Sequence, residues 1–114
     1  MNNYSSLSYI FNNKNLKLYF TKKELTRILE YYSFGVSRGE WKDYSINFSQ
    51  SEAYFHFYRN SSEKPIISIS KKKSKRSKIN NFELYQGYSK FLFNNSLDNL
   101  FSYLKRKNLK LVKK

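Results

Sequence analysis

Gly39-Glu40-Trp41-Lys42-Asp43-Tyr44-Ser45-Ile46-Asn47-Phe48 decides the fold. Before this stretch, apolar residues recur at helical spacing; inside it the period drops to two. Leu25, Ile28, Leu29, Tyr32 and Val36 form one apolar stripe on a helix. Gly39 suits the left-handed position that ends such a helix. Tyr44, Ile46 and Phe48 then alternate with Ser45, Asn47 and Ser49, the pattern of a half-buried strand.

On the N-terminal side, Leu16-Lys17-Leu18-Tyr19-Phe20 alternates and predicts a short strand with Leu16, Leu18 and Phe20 on one side. Thr21-Lys22-Lys23-Glu24 reads as a capping box, with Phe20 and Leu25 at the two hydrophobic-staple positions. Residues 1–15 are Asn- and Ser-rich without periodicity, which predicts a loose N-terminal arm.

On the C-terminal side, Ala53 to Arg59 is a strand with Ala53, Phe55 and Phe57 on one face and Tyr54, His56 and Tyr58 on the other. Asn60 to Pro65 turns the chain, and Ile66 to Ser70 is a third strand. Lys71, Lys72, Lys73, Lys75, Arg76 and Lys78 crowd residues 71–78, which predicts a solvated loop or strand extension. Phe82-Glu83-Leu84-Tyr85 resumes strand character, Gly87 marks a turn, and Lys90 to Phe93 gives one more strand. Asn94-Asn95-Ser96 caps a last helix striped by Leu97, Leu100, Phe101 and Leu104, and residues 109–114 form a basic tail. The order strand, helix, strands, helix with short links predicts one α+β domain over residues 16–108. Its plan is an antiparallel meander sheet with two helices packed on it.

At 114 residues the chain has room for one domain and one real core. Eleven Tyr and ten Phe make that core aromatic-rich. Lys plus Arg total 22 against 8 acidic residues, a formal +14, which attracts polyanions: nucleic acid, anionic lipid or an acidic protein. The same balance also arises from the Lys- and Asn-rich composition of AT-rich coding sequence. Most of the cations are Lys, whereas readers of base edges favour the bidentate Arg. Without Cys there is no disulfide framework and no thiolate metal site, and a single His leaves no conventional zinc site. No metal or cofactor is expected. With no run of transmembrane length and no secretory leader, a soluble cytoplasmic protein is expected.

Phe20, Glu24-Leu25-x-x-Ile28-Leu29, Gly39-Glu40-Trp41-x-Asp43-Tyr44, Arg59-x-x-Ser62-Glu63-x-Pro65 and Ile69-x-Lys71 together resemble a small bacterial family known as domain of unknown function 2794. The likeness runs from Leu18 to Lys71 and fades beyond, where the family has a Gly-rich strand region and this chain has only Gly87. It implies a class of protein and no activity.

Three groups are candidate sites. Trp41 lies between Glu40 and Asp43 at a helix-to-strand corner. Its ring closes the end of the core while the carboxylates pair with nearby cations; otherwise the two carboxylates rim a ligand pocket, which needs a cleft to separate their pKa values. Arg59 and Glu63 form an ion pair across a turn, or else Arg59 binds an anion beside the basic loop. Tyr54, His56 and Tyr58 line an open sheet face if the helices cover Phe55 and Phe57, and such rings stack on bases. They also suit an ordinary half-buried face, or one covered by the N-terminal arm or a second copy of the chain. No nucleophile elbow or Gly-rich phosphate loop is present, so no catalytic residue is named. A small basic binding module for nucleic acid, RNA first, is the leading expectation, with Lys71, Lys72, Lys73, Lys75, Arg76 and Lys78, the basic tail and the Tyr54, His56 and Tyr58 face as its contacts. A protein-interaction or assembly factor whose basic segments dock an acidic protein partner is the alternative; the Glu40-Trp41 and Arg59-Glu63 surface, which nucleic-acid binding does not need, sets it apart. The sequence sets no oligomeric state.

Overall fold

Thr21 and Glu24 start the first helix by satisfying each other's backbone donors. The Thr21 hydroxyl accepts from the Glu24 N–H at 3.1 Å, and the Glu24 carboxylate accepts from the Thr21 N–H at 2.8 Å. In the computed structural model, which describes residues 17–60, 63–74, 79–94 and 96–112, helix α1 then runs Lys22–Ser37. Gly39 ends it at φ +73°, donating to the Val36 carbonyl at 3.0 Å, while Glu40 donates to the Gly35 carbonyl at 2.9 Å. These are the two bonds of a Schellman cap.

The face that α1 buries is rotated from the predicted stripe. Ile28, Tyr31 and Gly35 are buried, whereas Val36 is 42% exposed. Trp41 explains the shift. Its ring lies against Gly35 so closely that a Cβ there would sit 2.0 Å from the ring. The indole Nε1 donates to the Tyr32 carbonyl at 2.7 Å, and the ring packs on Tyr31 and Phe57.

Strands β1 (Asp43–Phe48), β2 (Glu52–Tyr58), β3 (Ile67–Lys73), β4 (Asn80–Gln86) and β5 (Ser89–Asn94) form one antiparallel meander in sequence order. Helix α2 (Leu97–Val112) follows, with the Ser96 hydroxyl accepting from the Asn99 N–H at 3.1 Å. The fold is the predicted α+β class, with helix, five strands and helix in order. The strand predicted at Leu16–Phe20 does not form over its described residues, 17–20. Leu18 bonds the Ser49 carbonyl in the β1–β2 link, which lies beyond the last ladder pair of β1 and β2. Phe20 is nevertheless buried, as its staple position requires. Leu16 and the arm at 1–15 lie outside the described residues. Helix α2 continues through Val112, into the stretch read as a tail.

The register sorts the sheet into two faces. On one, Ile46, Phe55, Ile69, Leu84 and Phe91 form a cross-strand row, beside a second row of Phe48, Ala53, Lys71, Phe82 and Phe93. Both helices cover this face. Tyr31 and Tyr32 of α1 meet Phe57 and Phe55, while Leu100, Phe101 and Leu104 of α2 join the same buried cluster. Among the described residues, no helix covers the other face.

Candidate functional site

Ser45, His56, Ser68, Tyr85 and Lys90 form one row across the uncovered face. Asn47, Tyr54, Ser70, Glu83 and Leu92 form the next. Tyr54, His56 and Tyr58 therefore lie where the alternation places them, half-buried on the face away from the helices. The Tyr54 and His56 rings are stacked, with centroids 5.5 Å apart and planes 11° apart. Tyr85 joins them from β4, 6.5 Å from Tyr54. The Tyr58 hydroxyl bonds the Ser45 hydroxyl at 3.0 Å, and His56 Nδ1 bonds the Ser68 hydroxyl at 2.7 Å. Burial lowers the His56 pKa. The His56–Ser68 bond is a cross-strand pair. Among the described residues no carboxylate orients the ring's other nitrogen, as a catalytic dyad would need.

Glu83 is the electrostatic centre of this face, and its side chain is only 10% exposed. It accepts from the Tyr85 hydroxyl at 2.6 Å, from Lys72 Nζ at 3.0 Å, from Lys90 Nζ at 3.2 Å and from the Ser70 hydroxyl at 3.3 Å. Burial by itself would raise its pKa. The bonds from Tyr85, Lys72 and Lys90 outweigh burial and hold the carboxyl down at about 2. Lys72 is raised against its own burial by Glu83 and Tyr85, and also reaches Glu52 at 3.3 Å. Burial and the adjacent Glu83 raise Tyr85. The shifts keep Glu83 and Lys72 charged and Tyr85 neutral, as in a structural ion-pair cluster, and move none of the three toward neutrality.

Two of the basic-run residues overturn the solvated reading. Lys71 and Lys72 are both in β3 and point to opposite faces. Lys71 is 3% exposed, between Ala53 and Phe82 in the apolar row. Its ammonium donates to Glu24 at 2.8 Å and to the Tyr19 carbonyl at 3.0 Å. The paired carboxylate offsets the desolvation, so a lysine can occupy a core position. Lys72 is held by Glu83 and Glu52. Lys73 is exposed, and Lys75, Arg76 and Lys78 lie outside the described residues.

The corner and turn motifs are held by the core and by local pairing. Trp41 is core, Glu40 pairs with Arg38 at 3.2 Å, and Asp43 is exposed. No ion pair joins Arg59 to Glu63; the Asn60 side chain bonds Glu63 instead, and Arg59 is exposed. A cavity of about 250 Å³ lies elsewhere, between the first turns of the two helices. Thr21, Glu24, Arg27 and Asp98 line it, with Arg27 and Asp98 paired across it. Among the described residues, no group of three or more carboxylates and imidazoles could hold a metal ion, and no helix is long and apolar enough to cross a membrane.

A family model described as Protein of unknown function (DUF2794) matches residues 18–98. The chain belongs to this family. The match takes in α1, the whole sheet and the first residues of α2, and so runs well past Lys71, where the resemblance read from the sequence fades. Neither a curated protein nor a solved structure matches the chain. Of the motif residues that carry the DUF2794 likeness, Phe20, Ile28, Trp41, Ile69 and Lys71 are all buried and build the core. The sequence reading did not single out Glu83, Tyr85, Lys90 or Ser68. Their signal was the alternation of Phe82-Glu83-Leu84-Tyr85, which sends Glu83 and Tyr85 to the face of Tyr54 and His56 once the meander is assumed.

Proposed function

We propose that the chain is a small, non-enzymatic binding module that holds single-stranded RNA on the uncovered face of its sheet and works in the cytoplasm. One observation carries this reading: Tyr54, His56, Tyr58 and Tyr85 lie on a face that neither helix covers, with the Tyr54 and His56 rings parallel. Aromatic rings on an open sheet accept bases by stacking, and this is tolerant of sequence. The net charge of +14 favours a polyanion over a neutral ligand. Lys72 and Lys90 are already engaged by Glu83, so the face offers rings to bases and little free charge to phosphates.

The test is fluorescence anisotropy of a labelled single-stranded RNA decamer at low salt. The parent should bind, and Tyr54→Ala should weaken binding by roughly 5- to 100-fold, the worth of one stacked base. The variant's melting curve is measured alongside. An RNA that does not bind, with a Glu-rich peptide bound in its place, would replace this reading with the docking of an acidic protein.

A further inference from the structure

We propose that the N-terminal arm folds back along the open edge of β1, with Leu7, Tyr9, Ile10 and Phe11 filling an apolar seam between that edge and α1. The seam lies on the helix-covered side of the sheet, away from Tyr54 and His56, so it is independent of the RNA reading. Helix α1 has two flanks, set by its turn of about 100° per residue. Arg27 and Tyr31 turn one flank to α2, where they meet Asp98 and Phe101. Leu25, Leu29, Tyr32 and Val36 share the opposite flank. That flank faces β1, the edge strand of the sheet: the Tyr32 and Tyr44 ring centroids are 5.0 Å apart.

Tyr44, Ile46 and Phe48 alternate along β1 onto the same covered side and complete the seam. Its middle is half-buried, at Leu29, Tyr32 and Ile46. One end is open, where Tyr44 is 46% and Val36 42% exposed. Large apolar side chains this open, continuous with half-buried neighbours, mark a surface that wants a cover. At the other end Tyr19 packs on Phe48, with centroids 4.6 Å apart, and the Leu18 N–H donates to the Ser49 carbonyl at 2.7 Å. The chain therefore leaves for the arm at the foot of the seam.

The arm has the length and the residues to cover it. From Leu18 back to Phe11 is seven residues, about 23 Å when extended, and from Ser49 to Tyr44 is five strand residues, about 17 Å. The apolar block Leu7–Phe11 thus reaches the open end at Tyr44 and Val36, while the polar Asn12 to Asn15 pass the part already half-buried. Charge selects the chain's own arm over a second copy. Residues 1–15 carry one charged side chain, Lys14, whereas two chains of +14 repel each other. The tether also holds the arm at an effective concentration on the order of millimolar.

The chain has no Cys, so a nitroxide label on Ser6→Cys is unique. In dilute full chain, without RNA, the label should broaden the amide NMR signals of Tyr44 and Val36 to loss. Those of Lys90 and Leu92, in the opposite edge strand, should keep their intensity. Adding Ile10→Ser, Phe11→Ser should bring the Tyr44 and Val36 signals back. Signals of Tyr44 and Val36 that stay sharp, that broaden no more than Lys90 and Leu92, or that ignore the double substitution overturn the inference. A mixture of labelled chain with unlabelled, nitrogen-15 chain separates the remaining occupant. Broadening of the nitrogen-15 chain at Tyr44 and Val36 would assign the seam to a second copy and overturn the inference as well; its absence, beside broadening within one labelled chain, supports it. None of these results bears on RNA binding, which is measured separately.

Discussion

The two faces of this sheet are built from the same strands by opposite solutions to burial. On the covered face, Phe55, Phe57, Ile69 and Leu84 are sealed by two helices and one cation, Lys71, is drawn in by Glu24. On the uncovered face the polar atoms are satisfied laterally: Lys72, Lys90, Tyr85 and Ser70 converge on Glu83, and Ser68 and Ser45 serve His56 and Tyr58. Lys71 and Lys72 are adjacent in sequence and serve the two faces separately. A run of charge therefore carries no single environment once it enters a strand, because the backbone deals successive side chains to opposite sides.

The covered face should break hardest. Trp41→Ala removes the ring wedged against Gly35 and should cost about 3–5 kcal/mol in urea unfolding. Next is the ion pair that lets a lysine into the core. Glu24→Gln leaves the Lys71 ammonium buried without its carboxylate and should cost about 3 kcal/mol. Lys71→Met fills the same space without a charge and should cost under about 1.5 kcal/mol. If the two changes prove equal, the pair is not what holds α1 to β3.

The uncovered face should answer to pH. The Glu83 pKa is held at about 2 in the folded chain, below the carboxylate's ordinary 4.5. Folding therefore favours the ionised form. Its contribution is complete above about pH 4.5 and is lost as the pH falls toward 2. Allowing for the solvent exposure of Lys90, the contribution should be about 2 kcal/mol. Glu83→Gln should flatten the urea stability profile across that window. Smallest is the cap: Thr21→Ala should cost about 1 kcal/mol in a thermal melt.

Local rules were enough for most of the fold. The capping box, the Gly39 stop and the period-two strands are written in contiguous residues, and each appears where the pattern puts it. The errors share another cause. Val36 is apolar and continues the predicted stripe, whereas Gly35 takes the core place to admit a tryptophan six residues on. Lys71 opens a basic run, which predicts solvent, yet it continues the alternation begun by Ile67 and Ile69 and meets a carboxylate 47 residues earlier. The strand at Leu16–Phe20 had the alternation but meets a loop carbonyl instead of a strand edge over its described residues. Each depends on a contact between distant elements, which composition and period do not encode. For the candidate site, the Tyr54–His56–Tyr58 face followed from alternation alone. The Glu83 cluster needed the β3–β4 register.

The most direct test of the difference between the faces is an NMR titration of the full chain with the single-stranded RNA decamer, read at the aromatic side chains. Base stacking should shift the ring signals of Tyr54, His56, Tyr58 and Tyr85 strongly upfield and saturably, while those of Phe55 and Phe57 stay nearly in place. RNA that binds and leaves the four open-face rings unmoved would contradict a stacking surface on that face.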